Sequence, residues 1–221
     1  MSKPTLGYWD IRGLVEPIRY LLYFKNVDFE DKRYPADDRS TWEKVKFSLN
    51  LDFPNLPYYI DGNIRLTQST TILRYLAGKY GLDGKTEEEK LRVSLAEQQI
   101  IDFRDSFIRV IYDENFEKLR PDFVAKVPAE LKFVANFLGN RKFLAGDSVT
   151  YVDFMAFDTI DFYRYLIPNV LADFPTLRDY QERVRSLPVL RDYLKSSVYT
   201  RWPIFSPRAS WGGKGQEPKQ E

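Results

Sequence analysis

Tyr8 lies in Leu6-Gly7-Tyr8-Trp9-Asp10-Ile11-Arg12-Gly13, a stretch that leaves a short apolar run and turns through Arg12-Gly13 toward a helix. A phenol at such a strand-to-helix corner is well placed for chemistry, because open α/β folds commonly bind ligands there. The chain carries 15 tyrosines, so most of them must be structural. Two zeros narrow the chemistry: the sequence contains no cysteine and no histidine. Their absence removes Cys/His zinc sites, Ser-His-Asp triads, Cys-His nucleophiles and disulfide exchange. Acid–base work falls to Tyr, Asp, Glu, Lys or Arg, and if thiol chemistry takes place, the thiol arrives with the substrate.

The elements that must position Tyr8 follow in order. Thr5–Trp9 reads as a strand and 14–25 as a helix, with Ile18, Leu21, Leu22 and Phe24 as apolar positions, Pro17 in its first turn and Asn26 as a left-handed cap. A second strand, Phe29–Tyr34, is expected parallel to the first through this short crossover. Ser40-Thr41-Trp42-Glu43 is a capping-box pattern for a short helix reaching Phe47; Arg39, Trp42, Lys44 and Lys46 give it a cationic, aromatic edge whose plain reading is a solvated face. Pro57 stands just before an apolar strand, a position suited to a cis bond, and Asp61-Gly62-Asn63 turns the chain into the hairpin partner Ile64–Thr67. Ser69 is expected as the N-cap of a helix over 70–79 that Gly81 stops, which makes its amides an anion site. The order β-α-β-α-β-β-α is the thioredoxin arrangement, with Pro57 where that fold places a cis-proline beside its active site.

The second half reads as helices alone. Thr86-x-x-Glu89 opens a long helix to about Tyr112 that puts Leu91, Leu95, Gln98, Asp102 and Arg109 on one face. A carboxylate on such a face usually has a polar partner, and the plain reading of Asp102 is an internal salt bridge to an arginine. A helix over 121–139 kinks at Pro128, Thr150-x-x-Asp153 caps a helix that is apolar nearly all round, and two more helices cover 174–187 and 188–195. Residues 206–221, rich in Gly, Pro, Lys and Gln, are expected to be loosely held. The fold class is therefore an α/β N-terminal thioredoxin-like domain (1–82) joined by a linker (83–89) to an all-α C-terminal helical domain (90–221). With 33 basic and 32 acidic side chains the net charge is +1, so no global field draws in nucleic acid or a membrane surface. No run approaches the roughly 18 apolar residues of a membrane span, and a soluble cytoplasmic protein is expected.

Three separated blocks, Leu6–Gly13, Leu51–Gly62 with its Asn55-Leu56-Pro57, and Thr67-Gln68-Ser69, resemble the cytosolic glutathione transferases, specifically the mu class. The resemblance runs from about Thr5 to Trp211 and departs at the loop between Tyr34 and Arg39, which is shorter than the long loop typical of mu enzymes. It implies an enzyme of detoxification that conjugates the glutathione thiolate to small hydrophobic electrophiles, with the Tyr8 hydroxyl stabilising the thiolate. It implies no metal and no cofactor, glutathione being a co-substrate. By the same resemblance, Gln68 and Ser69 hold the γ-glutamyl end, with Asp102 of the partner subunit attracting its ammonium. Asn55, Leu56 and Pro57 hold the cysteinyl part, while Arg39, Trp42 and Lys46, with Trp9 nearby, engage the glycyl carboxylate. The implied electrophile pocket is Ile11, Leu14, Arg104, Ile108, Tyr112, Phe205 and Ser206, with Arg104 and Asp105 adding polarity. A homodimer is implied, Phe53 acting as an aromatic key and Arg74 lying near the two-fold axis. Two alternatives share the fold: a non-catalytic ligand-binding or structural protein, and a glutathione-dependent isomerase or peroxidase.

Overall fold

The structure, a computed structural model, describes residues 3–218. Its sheet is built on β1 (Thr5–Trp9), whose Leu6, Gly7 and Tyr8 are buried. β2 (Glu30–Tyr34) pairs parallel to β1 on one side, β3 (Tyr58–Asp61) antiparallel on the other, and β4 (Ile64–Thr67) completes the order β2-β1-β3-β4. The parallel pair needs a crossover, and α1 (Glu16–Phe24) with a short 3-10 turn at Gly13–Val15 supplies it. Gly7 is opposite Tyr58, and a Cβ at Gly7 would lie 2.1 Å from a carbon of the Tyr58 ring. Glycine therefore lets that ring lie across β1, where it stacks on Trp42 and its hydroxyl meets that of Tyr34 at 2.9 Å.

α3 (Ser69–Tyr80) packs on α1 and ends at a left-handed Gly81. The Thr86/Glu89 capping box forms and opens α4 (Glu87–Ile111), followed by α5 (Phe116–Leu138), α6 (Tyr151–Leu166), α7 (Pro175–Arg185) and α8 (Pro188–Lys195). α6 is buried along almost its whole length. At its start, the Asp153 carboxylate accepts from the Thr150 amide (2.7 Å) and hydroxyl (3.0 Å), the Leu144 amide (2.9 Å) and the Tyr180 hydroxyl (2.9 Å). This satisfies a buried acid and several donors at once. α1 contacts α3 as well as α6 and α8, so the amphipathic first helix joins the two halves of the molecule. Among the described residues no helix is long and apolar enough to cross a membrane.

Four local expectations are corrected. Ser40 is the first residue of α2 (Ser40–Glu43) rather than its cap; Arg39 is the N-cap, and Asp38 before it accepts from the Ser40 amide at 2.9 Å and hydroxyl at 3.0 Å. Asp outcompetes Ser for exposed amides because its acceptor is charged. Ser69 is likewise the first helical residue of α3; Gln68 precedes it as the N-cap, with φ at +70°. α5 begins at Phe116, so Pro121 and Pro128 are both internal; the faces that bury Phe116, Val127, Leu131, Val134 and Leu138 outweigh the lost backbone bonds. The segment expected to be loosely held is packed as far as Gly213, with Ala209, Gly212 and Gly213 buried, while 214–217 are exposed. The Ser210 amide donates to the Ile111 carbonyl (2.8 Å), Trp211 lies edge-on to Phe107, and Tyr165 donates to Glu217 (2.6 Å). Residues 219–221 of that segment lie outside the described residues. The Leu56-Pro57 bond is cis as expected, and so is Trp202-Pro203, which the sequence reading passed over.

Candidate functional site

Tyr8 is 6% exposed at the end of β1, and its position is set by the corner that follows. The Leu14 amide donates to the phenol oxygen at 3.3 Å, which leaves the phenolic proton free to donate elsewhere. Gly13, at φ +48°, lies directly beneath: a Cβ there would sit 2.8 to 2.9 Å from the Tyr8 ring and hydroxyl. Both the left-handed conformation and the close approach require glycine. Burial pushes the Tyr8 pKa up to about 12, with the Leu14 hydrogen bond and the charges of Arg19 and Arg104 opposing it and Tyr112 adding to it. Tyr8 is thus a neutral, buried hydrogen-bond donor within electrostatic reach of Arg104 and Tyr112.

Beside this corner lies a cleft of about 430 Å³ lined by Leu14, Gln68, Ser69, Thr70, Arg104, Asp105, Ile108 and Arg109. It brings together two residues expected on the glutathione side, Gln68 and Ser69, and three expected on the electrophile side, Leu14, Arg104 and Ile108. Thr70 and Arg109 were missed, although 104, 105, 108 and 109 have the spacing of one helix face, a signal the sequence offered. Arg104 pairs with Asp105 at 3.3 Å. Tyr112, Phe205 and Ser206 form a neighbouring cluster, in which the Ser206 amide donates to the Tyr112 hydroxyl and that hydroxyl donates to Ser206 Oγ, both at 3.1 Å. Ile11 and Phe205 are 4% and 3% exposed, so they offer a ligand little side-chain surface.

The remaining residues lie where β1 ends and β3 begins and on the helices beside them. Trp9 is half-buried under the Arg39 guanidinium, 5.7 Å from its ring, and Trp42 is buried against Tyr58. The Lys46 ammonium is 5.3 Å from the Phe47 ring. Asn55 is exposed, and Leu56 and the cis Pro57 beside it are buried at the start of β3. Asp102 is exposed on α4 and accepts from Gln98 (3.1 Å) rather than from an arginine, which corrects the internal salt-bridge reading. Arg74 instead pairs with the buried Glu97, which also accepts from Tyr151 at 2.6 Å.

One residue of the corner had no assigned part. Arg12 is fully buried, its Nε donating to Asp158 (2.7 Å) and its Nη1 to Asp161 (2.8 Å), both on α6. Its backbone amide donates to Pro203 and that of Gly13 to Ile204.

Residues 4–78 match the family model described as the glutathione S-transferase N-terminal domain, and residues 101–197 match the C-terminal domain model. A glutathione S-transferase of Tyrophagus putrescentiae is 50% identical over 217 residues, covering 96% of this chain and 98% of that one. The chain belongs to the glutathione S-transferase family. Its class is mu: Glutathione S-transferase Mu 1 of Mus musculus is 49% identical over 214 residues, covering 95% of this chain and 98% of the relative. Among solved structures, the glutathione S-transferase Blo t 8 superposes with a TM-score of 0.88 at 36% identity, covering 94% of this transferase and 99% of that chain. The two matched domain models correspond to the sheet-bearing and all-helical halves of the transferase.

Proposed function

We propose that this mu-class transferase binds glutathione along the edge running from Arg39 to Ser69 and uses the Tyr8 hydroxyl to hold the thiol of glutathione as thiolate. The single observation that carries this reading is the buried phenol that keeps its proton, its oxygen anchored by Leu14 beside an open cleft. A free thiol has a pKa of about 8.5, so little thiolate exists at neutral pH without such a donor. A neutral donor stabilises the charged sulfur more than the neutral one. Gln68 and Ser69, at the start of α3, suit the γ-glutamyl carboxylate, and Arg39, Trp42 and Lys46 the glycyl one. Asn55 and the backbone of Leu56 suit the extended cysteinyl part. The thiolate then attacks an electrophilic carbon held among Leu14, Arg104, Ile108 and Tyr112, a role consistent with detoxification of hydrophobic electrophiles. With a chlorinated dinitroaromatic acceptor, the sulfur forms the new bond to the ring carbon, chloride leaves, and the thiol proton passes to solvent. Thioether formation should be enzyme-dependent; its absence at high enzyme concentration, with the protein retained on a glutathione column, would favour the carrier reading instead.

The dimer belongs to the same proposal. Phe53 is 73% exposed, and between α4 and α5 lies an apolar cavity of about 320 Å³ lined by Leu95, Ala96, Ile100, Phe133, Val134 and Phe137, among others. Phe53 of one copy fits the chemistry of that cavity on another. Such an exchange brings Asp102 of the partner subunit toward the glutathione ammonium. Phe53→Ser should convert the dimer to monomer in sedimentation and weaken glutathione binding about tenfold or more. A wild-type protein that sediments as a fully active monomer would overturn it.

A further inference from the structure

We propose that Asp158 and Asp161 are positioning residues for the reaction, holding the Tyr8 hydroxyl in place from the second domain through Arg12. This rests on the reading of Tyr8 given above and adds to it the groups that fix its geometry. Arg12 and Gly13 make no strand pairing within the sheet. Their backbone amides instead donate to Pro203 (3.1 Å) and Ile204 (2.7 Å), and the Arg12 side chain reaches two carboxylates one turn apart on α6. The guanidinium also lies 5.1 Å from the Phe162 ring, so its plane is held on more than one side. Asp158 is fixed in turn by the Tyr20 hydroxyl at 3.2 Å, and Asp161 by Arg164 at 3.3 Å.

From this clamp the path to the phenol is one residue long. Gly13 passes so close to Tyr8 that a Cβ on it would lie 2.8 to 2.9 Å from the ring and hydroxyl, and the next amide, that of Leu14, anchors the phenol oxygen. A loop held only by its own domain would be free to slide along the ring. Its own domain holds the loop only up to Ile11, whose carbonyl accepts from Arg19 at 3.1 Å; Arg12 and Gly13 are held by α6 and residues 203–204, so a shift of Arg12 is passed to the phenol through Gly13 and Leu14. Hydrogen-bond donation to a thiolate depends steeply on alignment, so a displacement well below 1 Å suffices to weaken it. The two aspartates contact no substrate in this scheme; they act through Arg12.

The test compares Asp158→Asn with Tyr8→Phe in the full chain. Asparagine keeps an oxygen for Arg12 but loses the charge that draws the guanidinium in. Asp158→Asn should lower kcat for conjugation of the chlorinated dinitroaromatic by about tenfold while changing the KM for glutathione by less than about threefold. The ultraviolet thiolate band of bound glutathione should titrate about one pKa unit higher. Asp158→Glu, which keeps the charge and lengthens the arm, should fall between wild type and Asp158→Asn in the same titration. If Asp158→Asn does not fold, the Asp158→Glu titration alone decides. Wild-type thiolate titration and kcat in the folded variant, while Tyr8→Phe shifts both, would overturn the role of Asp158. If Tyr8→Phe also leaves the titration unmoved, the reading of Tyr8 itself fails.

Discussion

Replacing Tyr8 by phenylalanine is expected to lower kcat for glutathione conjugation by about 10²- to 10³-fold, the usual effect of removing one oriented donor from a developing or stored negative charge. The ring stays and fills the same space over Gly13, so the binding edge from Arg39 to Ser69 is left as it was. Only the hydroxyl goes, and with it the acceptor for the Leu14 amide. The stability cost of that unpaired amide should be about 1 kcal/mol, too little to unfold the protein. The thiol of bound glutathione then titrates closer to its free value of about 8.5, so the rising limb of kcat/KM moves to higher pH. The sign is testable: the deficit should be largest near neutral pH and shrink as solvent ionises the thiol. Because burial pushes the Tyr8 pKa to about 12, the wild-type profile should show no loss from deprotonation of the phenol in the range where the protein is folded. Unchanged turnover with an unchanged profile would remove Tyr8 from the mechanism.

The second large effect is expected from Arg12→Met. Methionine fills much of the same volume, but it leaves Asp158 and Asp161 buried without their shared cation. Breaking a buried pair in this way typically costs about 3–5 kcal/mol. The cost should depend on pH with a definite sign. Burial raises the Asp158 pKa to about 7, and Arg12 is the largest charge opposing that rise. A carboxyl whose folded pKa exceeds its unfolded value of about 3.9 binds protons more tightly when folded, so its contribution is fully present below that value and declines as pH rises through the folded pKa. Without Arg12 the Asp158 pKa climbs further and the decline extends to higher pH. For Asp161, burial is outweighed by Arg12, Arg185 and Arg164, which hold its pKa below the ordinary value. Its contribution is present above the unfolded pKa, and that benefit is reduced when Arg12 goes. Asp158 therefore makes the variant's loss larger at pH 8 than at pH 5, which denaturant titrations at the two values would measure, whereas the share from Asp161 is common to both values. A loss equal at both pH values, or no loss, would contradict the assignment of Arg12 as their shared counter-ion.

What the sequence made legible was local. The turn at Gly62, the stop at Gly81 and the Thr86 and Thr150 capping boxes each express themselves within a few residues, where backbone preferences dominate. The misreadings have two physical sources. One is competition between neighbouring polar side chains: Asp38 and Ser40 are both types that cap helices, yet Arg39 takes the N-cap position and Asp38 accepts from the Ser40 amide. The other is tertiary packing overriding a local signal. Pro121 reads as a helix start but sits five residues inside α5, and a Gly- and Pro-rich ending packs against Phe107 and Tyr165. The site shows the same division. The cleft gathers Leu14, Gln68, Ser69, Arg104 and Ile108, all named from the sequence, whereas the clamp on Arg12 was not legible, because nothing near Arg12 in the chain indicates a partner on α6.

The Arg12–Asp158 pair joins residues 146 apart in sequence. Chains are synthesised at roughly 5–20 residues per second, so Arg12 waits on the order of ten seconds for α6 to exist. During that interval the sheet and α1 can collapse, but a buried guanidinium without its carboxylates is unfavourable, and the corner must remain solvated. Contacts of such long sequence separation also form late in refolding, because loop closure precedes their reward. The phenol is among the first groups made and, on this account, among the last to be set in its working geometry.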